Sequence, residues 1–188
     1  MRVTGGRYRG RIITCPPGEI RPAMDRMRES LFSILGNLEG CSFLDLFSGS
    51  AVVGIEAASR GASPVDLVEL DRRKKQTILK NISIVETPIT LHLMTAQRFL
   101  KKIETGYDIV YADPPFPMKE KLSLAQLADQ YQAVIPGGWW IIHHPREESW
   151  PQRVGELDCR DVRAYGRSIL RFYQRDDQSS SSRGNDSI

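Results

Sequence analysis

The stretch SFLDLFSGSAVVGIEAASRG, residues 42–61, decides the fold because it predicts a strand, a tight turn and a helix in direct succession. The apolar run 42–47 is typical of a buried strand, and 51–60 is typical of a helix that Gly61 closes. Gly49 lets the chain turn tightly and lets a ligand approach the backbone, while the helix presents free N–H groups at its amino end. The segment therefore predicts a ligand-binding turn, with a plain strand–helix connection as the alternative.

Strands and helices alternate along the rest of the chain. Further strands are predicted at 65–70, 89–94, 107–112 and 139–143. Helices are predicted at 72–85, 96–103 and 119–134, with residues 136–138 as a break, and a closing antiparallel pair is predicted at 158–164 and 168–174. Strands that alternate with helices form parallel sheets. We therefore predict an α/β fold, a doubly wound, mainly parallel, seven-stranded Rossmann-like sheet with a C-terminal antiparallel strand pair.

The composition bounds the class of protein. The chain has 188 residues, of which 40% are hydrophobic and 26% charged, enough for one domain with a full core. No apolar run could span a membrane, and the first residues lack the apolar segment of a signal peptide, so a cytoplasmic protein is expected. The three cysteines lie far apart and form no CxxC pair, which predicts reduced, buried thiols and neither a disulfide framework nor a zinc site.

Residues 1–40 are predicted to form a basic extension, a short hairpin followed by a helix at 24–35. Arginines concentrate in this extension, at Arg2, Arg7, Arg9, Arg11, Arg21 and Arg28. A basic stretch with interleaved glycines can follow a phosphate backbone, so these arginines are candidate nucleic-acid contacts, with a solvated surface hairpin as the alternative. At the other end, residues 176–188 are polar and rich in serine, and disorder is predicted there.

Glu69 ends the second predicted strand, 20 positions after Gly49. A carboxylate at this place can accept hydrogen bonds from both hydroxyls of a ribose. Asp71 suits the N-cap of the following helix and is assigned to that role. A glycine turn followed by a distal acid fits two classes of cofactor, nicotinamide dinucleotides and S-adenosylmethionine.

Residues 113–116, Asp-Pro-Pro-Phe, follow the fourth predicted strand and form a stiff ledge rich in acceptors. Each proline fixes its own φ and lacks an N–H group, so the carbonyls are held in place. Such a ledge suits a planar ring that carries an exocyclic amine, and a rigid loop with a buried Phe is the alternative. The ledge contains no His, Lys or Tyr for hydride transfer, which favours S-adenosylmethionine. His143 and His144 are interpreted as structural histidines.

These motifs together resemble those of the bacterial 16S rRNA guanine-N2 methyltransferases of the RsmD type. The resemblance covers residues 1–175 and is carried by 2–11, 21–32, 45–50, 54–62 and 113–116. The last of these marks amino-group methyltransferases in general, whereas 21–32 is more specific to the family. The resemblance implies a class I methyltransferase domain over 41–175. It also implies methyl transfer from S-adenosylmethionine to the N2 amine of one guanine in small-subunit rRNA, by a monomer.

Roles for individual residues follow from the same resemblance. The implied cofactor contacts are Asp45, Phe47, Ser48, Gly49, Glu69, Leu70, Thr95, Ala96 and Asp113. Within this set the turn would hold the methionine part of the cofactor, and Glu69 would hold the ribose. Asp113 and the carbonyl of Pro114 would orient the target amine, and Phe116 would pack on the flipped base. The arginines of the extension would hold the flanking phosphates.

The chain departs from the family pattern at two positions. Members usually have Gly where this chain has Ala51, and a methyl group is compatible with the turn if φ is negative there. Members usually have an acid after the third strand, where Thr95 could accept from the adenine amine through its hydroxyl, or Gln97 could substitute. Three alternatives stay open: an amino-group methyltransferase for adenine or protein glutamine, a non-catalytic RNA-binding assembly factor, and a small dinucleotide-dependent reductase.

Overall fold

One eight-stranded sheet organises the chain in this computed structural model, which describes residues 1–15 and 22–177. Its strands are β1 (Phe43–Leu46), β2 (Val65–Glu69), β3 (Ile89–Leu93), β4 (Tyr107–Ala112), β5 (Val134–Pro145), β6 (Arg153–Val154), β7 (Leu157–Tyr165) and β8 (Ser168–Arg175). They lie in the order β3-β2-β1-β4-β5-β8-β7-β6, with parallel pairing from β3 to β5 and antiparallel pairing from β5 to β6. The predicted doubly wound, mainly parallel sheet with a C-terminal antiparallel pair is confirmed.

The sheet differs from the prediction at β5 and β6. The two-residue strand β6 pairs with β7 and makes eight strands where seven were predicted. A segment of two residues is too short to show a hydrophobic period, so the sequence carries no signal for it. Residues 136–138, predicted as a break, lie inside β5, where the pairing register with β4 shifts between Tyr107 and Ile109. Pro and Gly in a strand commonly mark such a bulge.

Helices cover both faces of the sheet. They are α1 (Pro22–Leu35), α2 (Val52–Ser59), α3 (Lys75–Ile82), α4 (Ala96–Leu100) and α5 (Lys121–Gln130), with a 3-10 turn at Arg72–Lys74 ahead of α3. One face buries Phe32 of α1, Ile55 of α2 and Ile78 of α3, and the opposite face buries Leu100 of α4 and Leu124 of α5. The parallel strands are therefore buried on both sides, which matches their nearly continuous apolar sequences.

The helix α2 lies unusually close to β2. A Cβ atom added at Gly54 would lie 2.3 Å from Cδ2 of Leu67, so only glycine permits this approach. The close packing sets the position of the amino end of α2, which follows directly from the turn after β1.

The N-terminal extension belongs to the core of the molecule. Val3, Tyr8 and Ile13 are each only 1% exposed, and they pack with the first of the two core clusters. The buried carboxylate of Glu56 in α2 accepts hydrogen bonds from the backbone N–H groups of Thr4 at 2.8 Å and Gly5 at 2.9 Å. Removal of the extension would therefore leave a buried charge and apolar surface uncovered.

Two further features follow from the described residues. Cys15, Cys41 and Cys159 are free thiols; Cys159 is buried as predicted, whereas the predicted burial is wrong for Cys15 and Cys41, which are partly exposed. Among residues 1–15 and 22–177, no helix is long and apolar enough to cross a membrane, and no group of His, Cys, Asp or Glu could hold a metal ion.

Candidate active site

The turn after β1 lies between two carboxylates because β1 lies between β2 and β4 in the sheet. Glu69 is the last residue of β2, and Asp113 follows the last residue of β4. These three strands are parallel, so their carboxyl ends meet at one edge. The winding of the sheet reverses between β1 and β4, which is where ligands bind in doubly wound sheets. The structure therefore brings the turn, Glu69 and Asp113 together.

The turn, residues 47–51, is built from left-handed backbone. Phe47, Gly49 and Ala51 have φ values of 65°, 55° and 68°. The N–H group of Ala51 donates to the carbonyl of Ser48 at 2.7 Å, and the N–H of Ile55 donates to the carbonyl of Ala51 at 2.9 Å. The condition of a negative φ, under which a methyl group at Ala51 is compatible with the turn, is therefore not met. A left-handed conformation costs an L-residue about 1–2 kcal/mol, so the rest of the fold holds this turn against strain.

Asp45 lies beneath the turn and is 1% exposed. Its Oδ2 atom accepts from the backbone N–H of Gly54 at 3.0 Å, which ties β1 to the first turn of α2. Burial raises the pKa of Asp45 well above its usual range; the hydrogen bond from Gly54 opposes this, and the charges of Asp113 and Glu69 raise the pKa further. Asp45 therefore supports the turn from beneath, through its hydrogen bond with the backbone of Gly54.

The carboxylate of Glu69 faces the turn and is held in one orientation. Its Oε2 atom accepts from the backbone N–H of Gly49 at 3.0 Å, and its Oε1 atom accepts from the backbone N–H of Asp71 at 2.8 Å. The Nζ atom of Lys74 lies 3.7 Å from Oε2. Each carboxylate oxygen can accept a further hydrogen bond, so this arrangement leaves capacity for the hydroxyls of a sugar. Asp71 caps the 3-10 turn by accepting from the N–H of Arg73 at 3.0 Å, as predicted.

Next to Glu69, an apolar side chain and a helix start complete this side of the site. Leu70 is 62% exposed, which is unusual for a large apolar residue. Thr95 and Ala96 follow β3, the neighbour of β2, and Ala96 is buried. The hydroxyl of Thr95 accepts from the N–H of Arg98 at 3.1 Å and so caps α4. One acceptor position of the hydroxyl expected to meet the adenine amine is therefore already used.

Asp113 forms a hydrogen bond that the sequence did not reveal. Its Oδ1 atom lies 2.6 Å from Nδ1 of His143, and the imidazole is 5% exposed. The pairing of Ala112 with Ile142 places Asp113 and His143 side by side on β4 and β5. His143, interpreted from the sequence as a structural histidine, is buried and hydrogen-bonded, and its partner is the candidate acceptor Asp113. His144, which points to the opposite face of β5, pairs through Nδ1 with the carbonyl of Pro145 at 2.9 Å.

The remainder of the ledge is held by side chains from β5, from the β7–β8 turn and from the start of the nearby helix α5. Phe116 is half-buried and meets His143 edge to face, with ring centroids 5.1 Å apart and planes at 65°. The Cζ atom of Arg167, in the β7–β8 turn, lies 6.0 Å from the centroid of the Phe116 ring. The ammonium of Lys121 donates to the carbonyls of Phe116 at 2.8 Å and Met118 at 2.6 Å, and it pairs with Glu148. Lys121 is 1% exposed, so these bonds replace its hydration and fix the loop.

The predicted arginine set divides into exposed and buried members. Arg2, Arg7, Arg9 and Arg11 are exposed, and Arg7 pairs with Glu86. Arg28 is 4% exposed; its Nη2 atom donates to the carbonyl of Arg2 at 2.9 Å and lies 3.1 Å from Asp25. The prediction of Arg28 as a phosphate contact is therefore wrong, because its guanidinium holds the extension in place. Arg21 and residues 178–188 lie outside the described residues.

Two open clefts of about 830 and 780 Å³ lie away from this site. The first is lined by residues such as Ser63 and Pro88, which precede β2 and β3, and the second by residues such as Ile109 and Trp139. Both lie toward the amino ends of the parallel strands. Neither is lined by Glu69 or Asp113, which lie at the opposite edge of the sheet.

The chain matches known proteins along almost all of its length. Residues 1–174 match the model of a family described as Conserved hypothetical protein 95. The chain is 32% identical to Ribosomal RNA small subunit methyltransferase D of Escherichia coli strain K12 over 192 residues, which cover 96% of this chain and 93% of that protein. It is 34% identical to YlbH of Bacillus subtilis over 184 residues, 93% of this chain and 99% of that protein.

Solved structures show the same similarity. The structure of yhhF from Escherichia coli superposes with a TM-score of 0.84 and 29% identity, covering 95% of this chain and 99% of that one. The chain belongs to the RsmD family. The family match spans the extension, the turn and the ledge, which supports treating them as one functional unit.

Proposed function

We propose that this chain transfers a methyl group from S-adenosylmethionine to the exocyclic N2 amine of a guanine in 16S rRNA. The proposal rests on one observation. The turn after β1 lies between Glu69, held by the N–H of Gly49, and the carboxylate of Asp113 on the ledge. A group held at Glu69 and an amine held at Asp113 would therefore meet above the carboxyl end of β1.

The residues around the turn fit the cofactor. The hydroxyl of Ser48 is buried and has no hydrogen-bond partner among the described residues, and such an orphaned polar atom calls for a ligand or a water. Glu69 presents oriented oxygens to a ribose, and the exposed Leu70 offers apolar area to a flat base. Thr95 and Ala96 lie next along this edge, after β3. When bound, the cofactor supplies an electrophilic methyl group on a sulfonium.

The ledge supplies acceptors for the amine. The guanine amine is a weak nucleophile because its lone pair is delocalised into the ring. Asp113 and the carbonyl of Pro114 accept its N–H groups, favour a pyramidal nitrogen and stabilise the positive charge that develops there. After transfer, the carboxylate of Asp113 takes the surplus proton from the nitrogen. Phe116 packs on the base, which has left its stack to reach the ledge.

The exposed arginines of the extension serve as the phosphate contacts of the proposal. Arg2, Arg9 and Arg11 project from a segment whose buried residues, Val3 and Tyr8, are anchored in the core. A rigid support lowers the entropy lost when these side chains bind, so the extension can act as a preformed clamp for RNA.

The proposal is tested by methyl transfer from tritiated S-adenosylmethionine to naked 16S rRNA and to small-subunit particles, followed by mass mapping of the rRNA. The expected product is one N2-methylguanine. A methyl group found on adenine or on protein would contradict the proposed substrate and identify that group as the acceptor instead. Cofactor binding by calorimetry without transfer to either RNA form would favour an assembly factor and contradict the proposed reaction.

A further inference from the structure

We propose that His143 is a positioning residue for this reaction, one that holds both the carboxylate of Asp113 and the ring of Phe116 in their working orientations. The inference rests on the proposed function, since it concerns how the same ledge presents its acceptor. Its support is a single buried imidazole that touches the two chemically different parts of the ledge.

The hydrogen bond to Asp113 fixes which oxygen is available. An ionised carboxylate can only accept, so Nδ1 of His143 carries the hydrogen in the 2.6 Å contact with Oδ1. The Asp113 side chain is 26% exposed and could otherwise rotate. With Oδ1 held by the imidazole, the carboxylate keeps one orientation, and Oδ2 and the second acceptor position of Oδ1 are left for an amine.

The second ring nitrogen of His143, Nε2, determines which of the two nitrogens carries the hydrogen. Nε2 of His143 is buried and has no hydrogen-bond partner among the described residues. A hydrogen on Nε2 would be a buried donor without an acceptor, which is costly, and more so on a charged ring. The geometry therefore favours the tautomer with the hydrogen on Nδ1, which presents a donor to Asp113.

The same ring supports the aromatic part of the ledge. Phe116 meets the imidazole at 65° with ring centroids 5.1 Å apart, which is the favourable edge-to-face geometry. Lys121 also holds the loop, because its ammonium donates to the carbonyls of Phe116 and Met118. His143 thus links the acceptor for the amine to the surface on which the base packs, and it sets the distance between them.

Two substitutions separate the two contacts. His143→Asn keeps an amide N–H near the position of Nδ1 but loses the ring edge, whereas His143→Phe keeps a ring and loses the donor. We expect His143→Phe to lower kcat about 10- to 100-fold with little change in KM for rRNA, because a misoriented acceptor slows the transfer step. His143→Asn should keep most of kcat and raise KM for rRNA.

The control is His144→Phe, a buried histidine on the same strand that faces away from the ledge. Its kcat and KM should match those of the wild type. Thermal unfolding and cofactor binding are measured for every variant, because a loss that follows stability alone, equal in His143→Asn and His143→Phe, would mean a packing role and overturn the inference.

A spectroscopic measurement tests the hydrogen bond without activity. The chain has three histidines, so nitrogen-15 spectra of the imidazoles can be assigned by comparison with His143→Phe. The hydrogen of His143 is expected on Nδ1, and Asp113→Ala should shift that signal; a hydrogen on Nε2 would overturn the inference. Absence of methyl transfer by the wild type would instead overturn the proposed function, whereas full kcat in His143→Phe would overturn only the positioning role.

Discussion

The turn after β1 and the ledge at 113–116 lie at the same edge of the sheet, but they are stabilised in different ways. The turn is held by backbone hydrogen bonds within its own segment and by the carboxylate of Glu69, and it contains strained residues at Phe47 and Ala51. The ledge is held by side chains: by His143, 30 positions after Asp113, and by Lys121, which is close to the ledge in the chain and pairs with the more distant Glu148. The cofactor side therefore depends mainly on backbone geometry, whereas the acceptor side depends on side-chain contacts, one of which comes from the neighbouring strand β5.

The largest effect should come from the ledge. Asp113→Ala is expected to lower kcat about 10²- to 10³-fold, because it removes the group that stabilises charge on the amine, while cofactor affinity measured by calorimetry changes little. The matched control is Asp108→Ala in the same strand, where the carboxylate accepts from the N–H and the hydroxyl of Ser42 at 2.8 and 2.7 Å. It should lower Tm and leave kcat unchanged. Wild-type kcat in Asp113→Ala would remove the ledge carboxylate from the mechanism.

Substitution on the turn side is expected to change cofactor affinity and to leave kcat unchanged. Glu69→Gln is expected to weaken cofactor binding about 10- to 100-fold, because one amide oxygen replaces two oxygens that serve Gly49 and Asp71. At saturating cofactor kcat should persist. Asp71→Asn, which keeps an acceptor for the helix cap, should bind normally. The proposed ribose contact would be wrong if Glu69→Gln and the wild type gave the same Kd.

Asp45, beneath the turn, should make stability depend on pH. Its pKa is raised by burial, so between the unfolded and folded pKa values the native state holds a proton that the unfolded state has lost. Stability therefore falls as pH rises through that window, by about 1.4 kcal/mol per pH unit for one proton. Asp45→Asn, which can still accept from Gly54, should remove this decline. Denaturant unfolding at several pH values measures it, and parallel curves for the two proteins would contradict the assignment.

The smallest expected effect lies in the turn itself. Ala51→Gly should stabilise the protein by about 0.5–1 kcal/mol, because relief of left-handed strain exceeds the entropy cost of glycine. Ala57→Gly, inside α2, is the matched control and should destabilise it by about 1 kcal/mol. Changes of opposite sign in the free energy of unfolding of the two variants, measured by chemical denaturation, would confirm that strain is specific to the turn. A destabilising Ala51→Gly would show that the buried methyl group contributes more than the strain.

Much of the fold could be predicted because it depends on local patterns. The alternation of strands and helices gave the parallel sheet, and the strand pair at the C-terminus was recognisable from its turn at Gly166. The strand β6 was missed because two residues carry no periodic signal. The bulge in β5 was missed because proline and glycine indicate a break as readily as an irregular strand.

Part of the candidate site could be predicted, namely where a single residue type at the end of a strand is enough to indicate a role. Glu69 and Asp113 each follow a strand, and parallel strands bring their carboxyl ends to a common edge. Arg28 was assigned wrongly because its charge suggested solvent, whereas in the fold it satisfies the carbonyl of Arg2 and an acid beside it. The contact between His143 and Asp113 was not predicted because it depends on the register between β4 and β5, which no local pattern reports.

The sequence by itself determined the fold class, the turn, the distal acid and the ledge, because each of these depends on residues close together in the chain. Tertiary structure alone decided that Ala51 adopts a left-handed conformation, that Arg28 and Lys121 are buried, and that His143 meets Asp113. The physical reason is that burial, strain and hydrogen-bond pairing depend on which distant segments come together. Those contacts are fixed only when the whole sheet has formed.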